Sequence, residues 1–180
     1  MKNLSKVPLT LFWTTILLFQ ASASLACSCI YGGEFAKNSR FYDSVVRAKV
    51  IEYGQRHRGE AIYKSMIVEV TDVVKGTFNH TELELMGDLG YQCREYVDSR
   101  KFGIGKEFLF VILNEEPVQE LAGCGESSIL VDGDTINGYK LTNSGYEPYS
   151  MSLDAMIEEM KAEAIKYEKL QQDANNRPSK

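Results

Sequence analysis

The sequence predicts a mainly β fold: an OB-type closed barrel of five to six strands with a C-terminal α-helix. Three observations carry this. β-Branched stretches alternate at period two, as in Val46, Ala48 and Val50 against Arg47 and Lys49. One stretch, Phe108-Leu-Phe-Val-Ile-Leu113, is apolar without a break and reads as a central strand buried on both faces. A long helical period occurs only from Ser152 onward. Periodicity alone does not separate the barrel from a sandwich.

The chain opens on an export signal. Lys2 and Lys6 give a positive start, Leu9 to Phe19 an apolar core, and Ser24 and Ala26 the small residues of a cleavage site before Cys27. The expected organisation is a signal peptide over 1–26, one domain over 27–171 and a disordered polar tail over 172–180. An uncleaved anchor is the competing reading, because no charge occurs from Val7 to Gly33. Ser24-Leu25-Ala26-Cys27 also loosely resembles a bacterial lipoprotein box, in which Cys27 is acylated; the expected Leu three residues before the cysteine is here Ser24. The protein is therefore expected outside the cytosol, secreted or periplasmic, with lipid anchoring at the cell envelope as the alternative. Membrane contact is expected only through the signal segment or a lipid on Cys27.

In order, Glu34 to Phe41 is expected as a short helix after the Gly32-Gly33 break. Ser44–Tyr53, Tyr63–Lys75, Thr81–Met86 and Lys106–Leu113 are expected as strands, and Arg56-His57-Arg58 as a solvated loop tip. Ile129 to Thr142 contains Asn137-Gly138, which reads as a type I′ hairpin turn between two short strands. The same stretch superficially resembles a calcium loop, but Ile136 has no oxygen donor and Asn143 stands where a carboxylate should close the site. Ser152 to Gln171 is a helix capped by Ser152, with Leu153, Met156, Ile157, Met160, Ala164 and Tyr167 along its apolar stripe.

Composition narrows the function. Removing Lys2 and Lys6 with the signal leaves 18 Lys and Arg against 25 Asp and Glu, a mature charge of −7. Nucleic acid is a poor partner for such a chain, since phosphate binding needs clustered cations. No Gly-rich phosphate loop, zinc-binding His-Glu helix or Gly-x-Ser-x-Gly elbow occurs, and neither His57 nor His80 stands beside a nucleophile. No enzymatic activity and no cofactor are expected.

Four cysteines, Cys27, Cys29, Cys93 and Cys124, follow the signal. In an oxidising compartment they imply two disulfides. Either Cys27 pairs with Cys93 and Cys29 with Cys124, or the pairs are crossed. Each bridge closes a long loop, worth about 4 kcal/mol on the chain-entropy model. A thiolate site for zinc or Cu(I) is the competing use, without the usual Cys-x-x-Cys knuckles.

The opening Cys27-Ser28-Cys29, the run Asp43-Ser-Val-Val-Arg-Ala-Lys-Val50, the strand from Tyr63 to Lys75-Gly76 and the placing of Cys93 and Cys124 together resemble one family. It is the inhibitory, netrin-like domain of the tissue inhibitors of metalloproteinases. The resemblance spans Cys27 to about Tyr167. It implies disulfides Cys27–Cys93 and Cys29–Cys124. It further implies an inhibitory edge of Cys27, Ser28, Cys29, Ile30 and Tyr31 beside Gly90, Tyr91, Gln92 and Cys93. In such inhibitors the free amine and carbonyl of the first cysteine bind the catalytic zinc of the target protease, and the residue at the Ser28 position enters its specificity pocket. The expected partner is thus a zinc metalloprotease, which contributes the metal. A non-inhibitory netrin-like module binding another envelope protein is the alternative. The family's third disulfide has no counterpart among these cysteines, and Ile30-Tyr31-Gly32-Gly33 lacks its usual proline.

Overall fold

The computed structural model describes residues 34–90, 94–113, 116–121, 126–143 and 145–176. The signal segment and all four cysteines lie outside these residues. The fold is mainly β with a C-terminal helix, as expected. Helix α1 (Phe35–Ser39) precedes the long strand β1 (Ser44–Tyr53). A small hairpin follows, β2 (Arg56–Arg58) and β3 (Ile62–Tyr63), then β4 (Ser65–Lys75) and β5 (Glu82–Met86). Next come β6 (Val97–Asp98), β7 (Glu107–Ile112), β8 (Val118–Glu120), β9 (Ser128–Asp132), β10 (Thr135–Thr142) and β11 (Gly145–Ser152). Helix α2 (Leu153–Asn175) closes the described chain.

Eight strands form one sheet in the order β11-β10-β9-β7-β1-β4-β5-β8, and β2-β3-β6 form a second. The sheets are not closed into a barrel, which corrects the expected closed form. β11 and β8 end the order, pairing only with β10 and β5 among the described residues, so the sheet does not return on itself. β7, inside the sheet, is buried on both faces. Phe108, Phe110 and Ile112 join Val46, Ala48, Val50, Met66, Val68, Leu83 and Leu85 in a first core. Leu109 and Val111 point the other way, into a second core with Val45, Ile129, Val131, Ile136, Met156 and Met160. Phe35 and Ala36 of α1 complete that second core. The two helices therefore cover the outer face of β7, β9 and β10, and the sheet continues out under them to β11.

Two local expectations are corrected. Asn137-Gly138 is not a turn; both residues lie inside β10, paired across to Ser150 and Tyr149. The turn falls at Gly133-Asp134, between the paired Asp132 and Thr135, with Gly133 at φ +61°. A glycine at positive φ in the first of the two loop positions meets the turn's backbone requirement, as a primed hairpin turn demands. Gly138 serves close packing instead: a Cβ there would meet Ile129 Cδ1 at 2.6 Å and the Tyr149 ring at 2.9 Å. The helix α2, capped by Ser152 Oγ accepting from Ala155 N at 3.2 Å, runs four residues past Gln171 into the stretch expected as a disordered tail.

The Lys75-Gly76 pair acquires a physical role. Lys75 Nζ donates to the carbonyls of Ser39, the last residue of α1, and of Tyr42 just beyond it, 2.8 Å each. Gly76, at φ +73°, passes so close to β1 that a Cβ would stand 2.2 Å from the Asp43 carbonyl oxygen. Ser44 Oγ donates to Thr77 O at 2.6 Å across the same junction.

Candidate functional site

Of the expected edge, Gly90 is described; Cys27, Ser28, Cys29, Ile30, Tyr31, Tyr91, Gln92 and Cys93 lie outside the described residues, as does Cys124. What the structure supplies is the framework on either side of them.

The loop after β5 is fixed by a buried carboxylate. Gly87 N donates to Lys64 O at 2.9 Å, fastening the loop to the start of β4, and Asp88 N donates to Glu95 O at 3.0 Å, tying its two arms at their base. The Asp88 side chain, 5% exposed, then accepts from Gly90 N at 2.6 Å and from Arg94 N at 3.1 Å. The amides flanking residues 91–93 are thus fastened to one group. Gly90 sits at φ +102°, which favours glycine. Gly87 is required by contact, since a Cβ would meet Val97 N at 2.7 Å.

The approach to Cys124 runs beside the same loop. β8 pairs parallel with β5, and Leu121 N donates to Met86 O at 2.9 Å. Arg94 and Glu120 form an ion pair across the two segments. His57 on β2 lies against the loop as well, its Nε2 3.1 Å from Leu89 O. The Arg56-His57-Arg58 segment is therefore a paired strand and not a loop tip: His57 is half-buried, while Arg56 and Arg58 are exposed.

Beyond Cys124, Glu126 gathers three bonds. Its Oε2 accepts from Phe35 N at 3.1 Å, its Oε1 from Tyr139 N at 2.8 Å, and its carbonyl from Asn38 Nδ2 at 2.9 Å. Burial pushes the Glu126 carboxyl above its ordinary range, opposed by the amides of Tyr139 and Phe35 and by Lys101, and reinforced by Glu34. Phe35 is six residues after Cys29, and Glu126 two after Cys124. The structure thus brings the exit from the N-terminal segment onto the exit from the Cys124 segment.

Sequence reading singled out neither Asp88 nor Glu126, and it placed His57 in a loop tip without a partner. Asp88-Leu89-Gly90 carries a usable signal, because Asp commonly accepts from the amide two residues on. Glu126 carries none, its partners being 91 and 13 residues away. The Asp132–Asn143 stretch is the β9–β10 turn followed by strand β10, and the Gly133 carbonyl already accepts from Arg47 Nη2 at 3.0 Å. Among the described residues, no group of three or more His, Cys, Asp or Glu is placed to hold a metal ion. A cleft of about 150 Å³ lies beside the start of α1, between it, β10, β11 and α2, lined by Glu34, Ala36, Lys140, Tyr149 and Glu159 among others.

Comparison of the chain with protein-family models, with characterised proteins and with solved structures finds no match.

Proposed function

We propose that the mature chain is an exported, non-enzymatic inhibitor of a zinc metalloprotease. It presents Cys27–Tyr31 alongside Gly90–Cys93 and blocks the target's zinc through the Cys27 amine and carbonyl. The finer fold assignment, an OB-type netrin-like topology with its sheet left open, and the disulfides Cys27–Cys93 and Cys29–Cys124 belong to the same reading.

One observation carries it. Both chain segments expected to form the edge are anchored at their roots by carboxylates accepting pairs of backbone amides: Asp88 for the segment holding Gly90–Cys93, Glu126 for the segment after Tyr31. A surface that must enter a protease cleft without losing much entropy gains affinity from such preorganisation. The chemistry follows from the terminus itself. An α-amine titrates near pH 8, low enough to shed its proton to a metal. A catalytic zinc keeps one position for water, which a rigid bidentate ligand displaces. Ser28, the next side chain, then faces the pocket that selects substrate.

The test has two arms. Intact mass of the native mature protein is expected to show a chain beginning at unmodified Cys27, lighter than the all-thiol form by the four hydrogens that two disulfides remove. One alanine inserted before Cys27 is then expected to abolish inhibition of zinc endopeptidases while leaving the fold intact. Unchanged inhibition by that variant rules out chelation by the amine. An acylated Cys27 removes the mechanism and favours the envelope-tethered binding module.

A further inference from the structure

We propose that the projecting end of α2 docks a second copy of this chain, the two helices packing antiparallel about a two-fold axis beside Glu168 and Lys169. The proposal goes beyond the functional reading above and does not depend on it.

α2 carries one buried stripe. Met156 and Met160, 0% and 4% exposed, seal the second core. Tyr167 continues the stripe and packs edge-on to Phe41, with ring centroids 5.2 Å apart. The positions 156, 160, 163, 167, 170 and 174 step by four and three residues in turn, so Leu170 and Ala174 lie on the same stripe. The domain ends before the stripe does. From Glu168 to Asn176 every residue is exposed, so roughly 12 Å of helix stands clear of the body. Leu170 is 56% exposed, and Phe41 at the root of the projection 49%. A lone exposed Leu is ordinary on a protein surface. This one is in register with a core stripe, close to a bare aromatic ring, on a helical stretch too short to be stable in water by itself.

The flanking charges select the occupant. Lys166 and Asp173 stand on the same flank, each just ahead of a stripe residue, Tyr167 and Ala174. In an antiparallel pair the same flanks of the two helices face one another. Setting Tyr167 against the partner's Leu170 brings Lys166 to the partner's Asp173, and the two-fold axis repeats both contacts. On the other flank Gln171 meets the partner's Ala164, so no like charges are opposed. A parallel pair would set Lys166 beside the partner's Gln171 and leave Asp173 unmatched. Lys166 reaches Glu163 of its own helix at 3.4 Å, a long contact with the lysine 63% exposed, which is readily exchanged. Two helix ends bury less than the roughly 1,000 Å² of a stable interface, so the dimer is a weak one.

Sedimentation velocity on the native full mature chain tests this. A monomer–dimer equilibrium is expected, with a dissociation constant on the order of 10⁻⁵ to 10⁻³ M. Leu170→Ala is expected to weaken it at least about tenfold, because symmetry removes two side chains at once. Ile165→Ala is expected to change nothing, since Ile165 is 67% exposed on the opposite face of the helix. Asp173→Lys should weaken the dimer, and adding Lys166→Asp to the same chain should restore it. All the substituted positions are exposed, so circular dichroism and thermal melts should show the same fold throughout. A wild type that stays monomeric to 10⁻³ M overturns the proposal. So do equal losses in Leu170→Ala and Ile165→Ala, failure of the double charge exchange to restore association, and growth beyond a dimer.

Discussion

Replacing Gly76 by alanine tests whether the Lys-Gly junction is a packing requirement. The comparison is Gly59→Ala. Gly59 has φ +60° and Gly76 φ +73°, so both substitutions force an L-residue into left-handed backbone, at about 1–2 kcal/mol each. They differ in their surroundings. A Cβ at Gly59 meets nothing within 4 Å, whereas at Gly76 it meets Asp43 O at 2.2 Å and Ser44 Oγ at 2.6 Å. The first of these is backbone, so β1 must retreat by roughly an ångström. That displacement breaks the Ser44–Thr77 hydrogen bond, itself worth about 1 kcal/mol, and disturbs the carbonyls that Lys75 holds. The expected loss is about 3–4 kcal/mol for Gly76→Ala against about 1–2 for Gly59→Ala. At about 2–4 °C per kcal/mol for a domain of this size, Tm falls by roughly 6–16 °C in the first and 2–8 °C in the second. Urea unfolding of the oxidised proteins, with thermal melts alongside, measures both. A Gly76→Ala variant no less stable than Gly59→Ala refutes the close-approach argument.

Met156→Ala is expected to cost about 2–5 kcal/mol, since Met156 is fully buried where α2 covers the second core; a loss under about 1 kcal/mol in urea melts would mean that α2 does not seal it. Lys75 is held below its ordinary value by burial, with Asp43 opposing. The native state then binds fewer protons than the unfolded one, so stability is expected to rise with pH in the window just below 10.5. Lys75→Met should abolish that rise, and parallel curves for the two proteins would refute it. Glu126 has the opposite sign. Its folded pKa is raised, so its contribution is complete below about 4.5 and is lost as pH climbs through the folded value. The stability of wild type relative to Glu126→Gln should therefore fall as pH rises from 4.5 toward neutrality; a constant difference contradicts the desolvation assigned to this carboxylate.

Period-two alternation placed β1 at Ser44–Tyr53, and the unbroken apolar run placed β7 at the centre, because burial on one face or two writes itself directly into residue order. The helix start at Ser152 was legible for the same reason: capping is local. What failed was non-local. Asn137-Gly138 reads as a turn until the Tyr149 ring is known to lie over Gly138, and that ring arrives from a strand not yet paired. Closure of the sheet could not be read either, since alternation reports that β7 has two apolar faces and not what covers the second. In the candidate site the same division holds. Asp88 acts on amides two and six residues on and leaves an Asx signal, while Glu126 acts across 91 residues and leaves none.

The placing of α1 shows how weight divides between stability and aim. Five residues cannot hold a helix alone, because nucleation is unfavourable and too few bonds follow it. Burying Phe35 supplies the main term, about 2–3 kcal/mol. The remaining contacts are individually small. Arg40 pairs with Glu163 at 3.2 Å, the two side chains mostly buried, and lies over the rings of Phe41 and Tyr167. Lys75 holds the carbonyls at the far end, and Glu126 the amide at the near one. These contacts come from α2, β4 and the segment before β9, so they fix orientation from three sides while adding little to the total. Removing Phe35 should therefore unfold the second core, whereas removing Glu126 should leave a folded protein in which α1 is held less firmly at its first amide. Stability and aim are separable here because the first is carried by apolar area and the second by a few directional bonds.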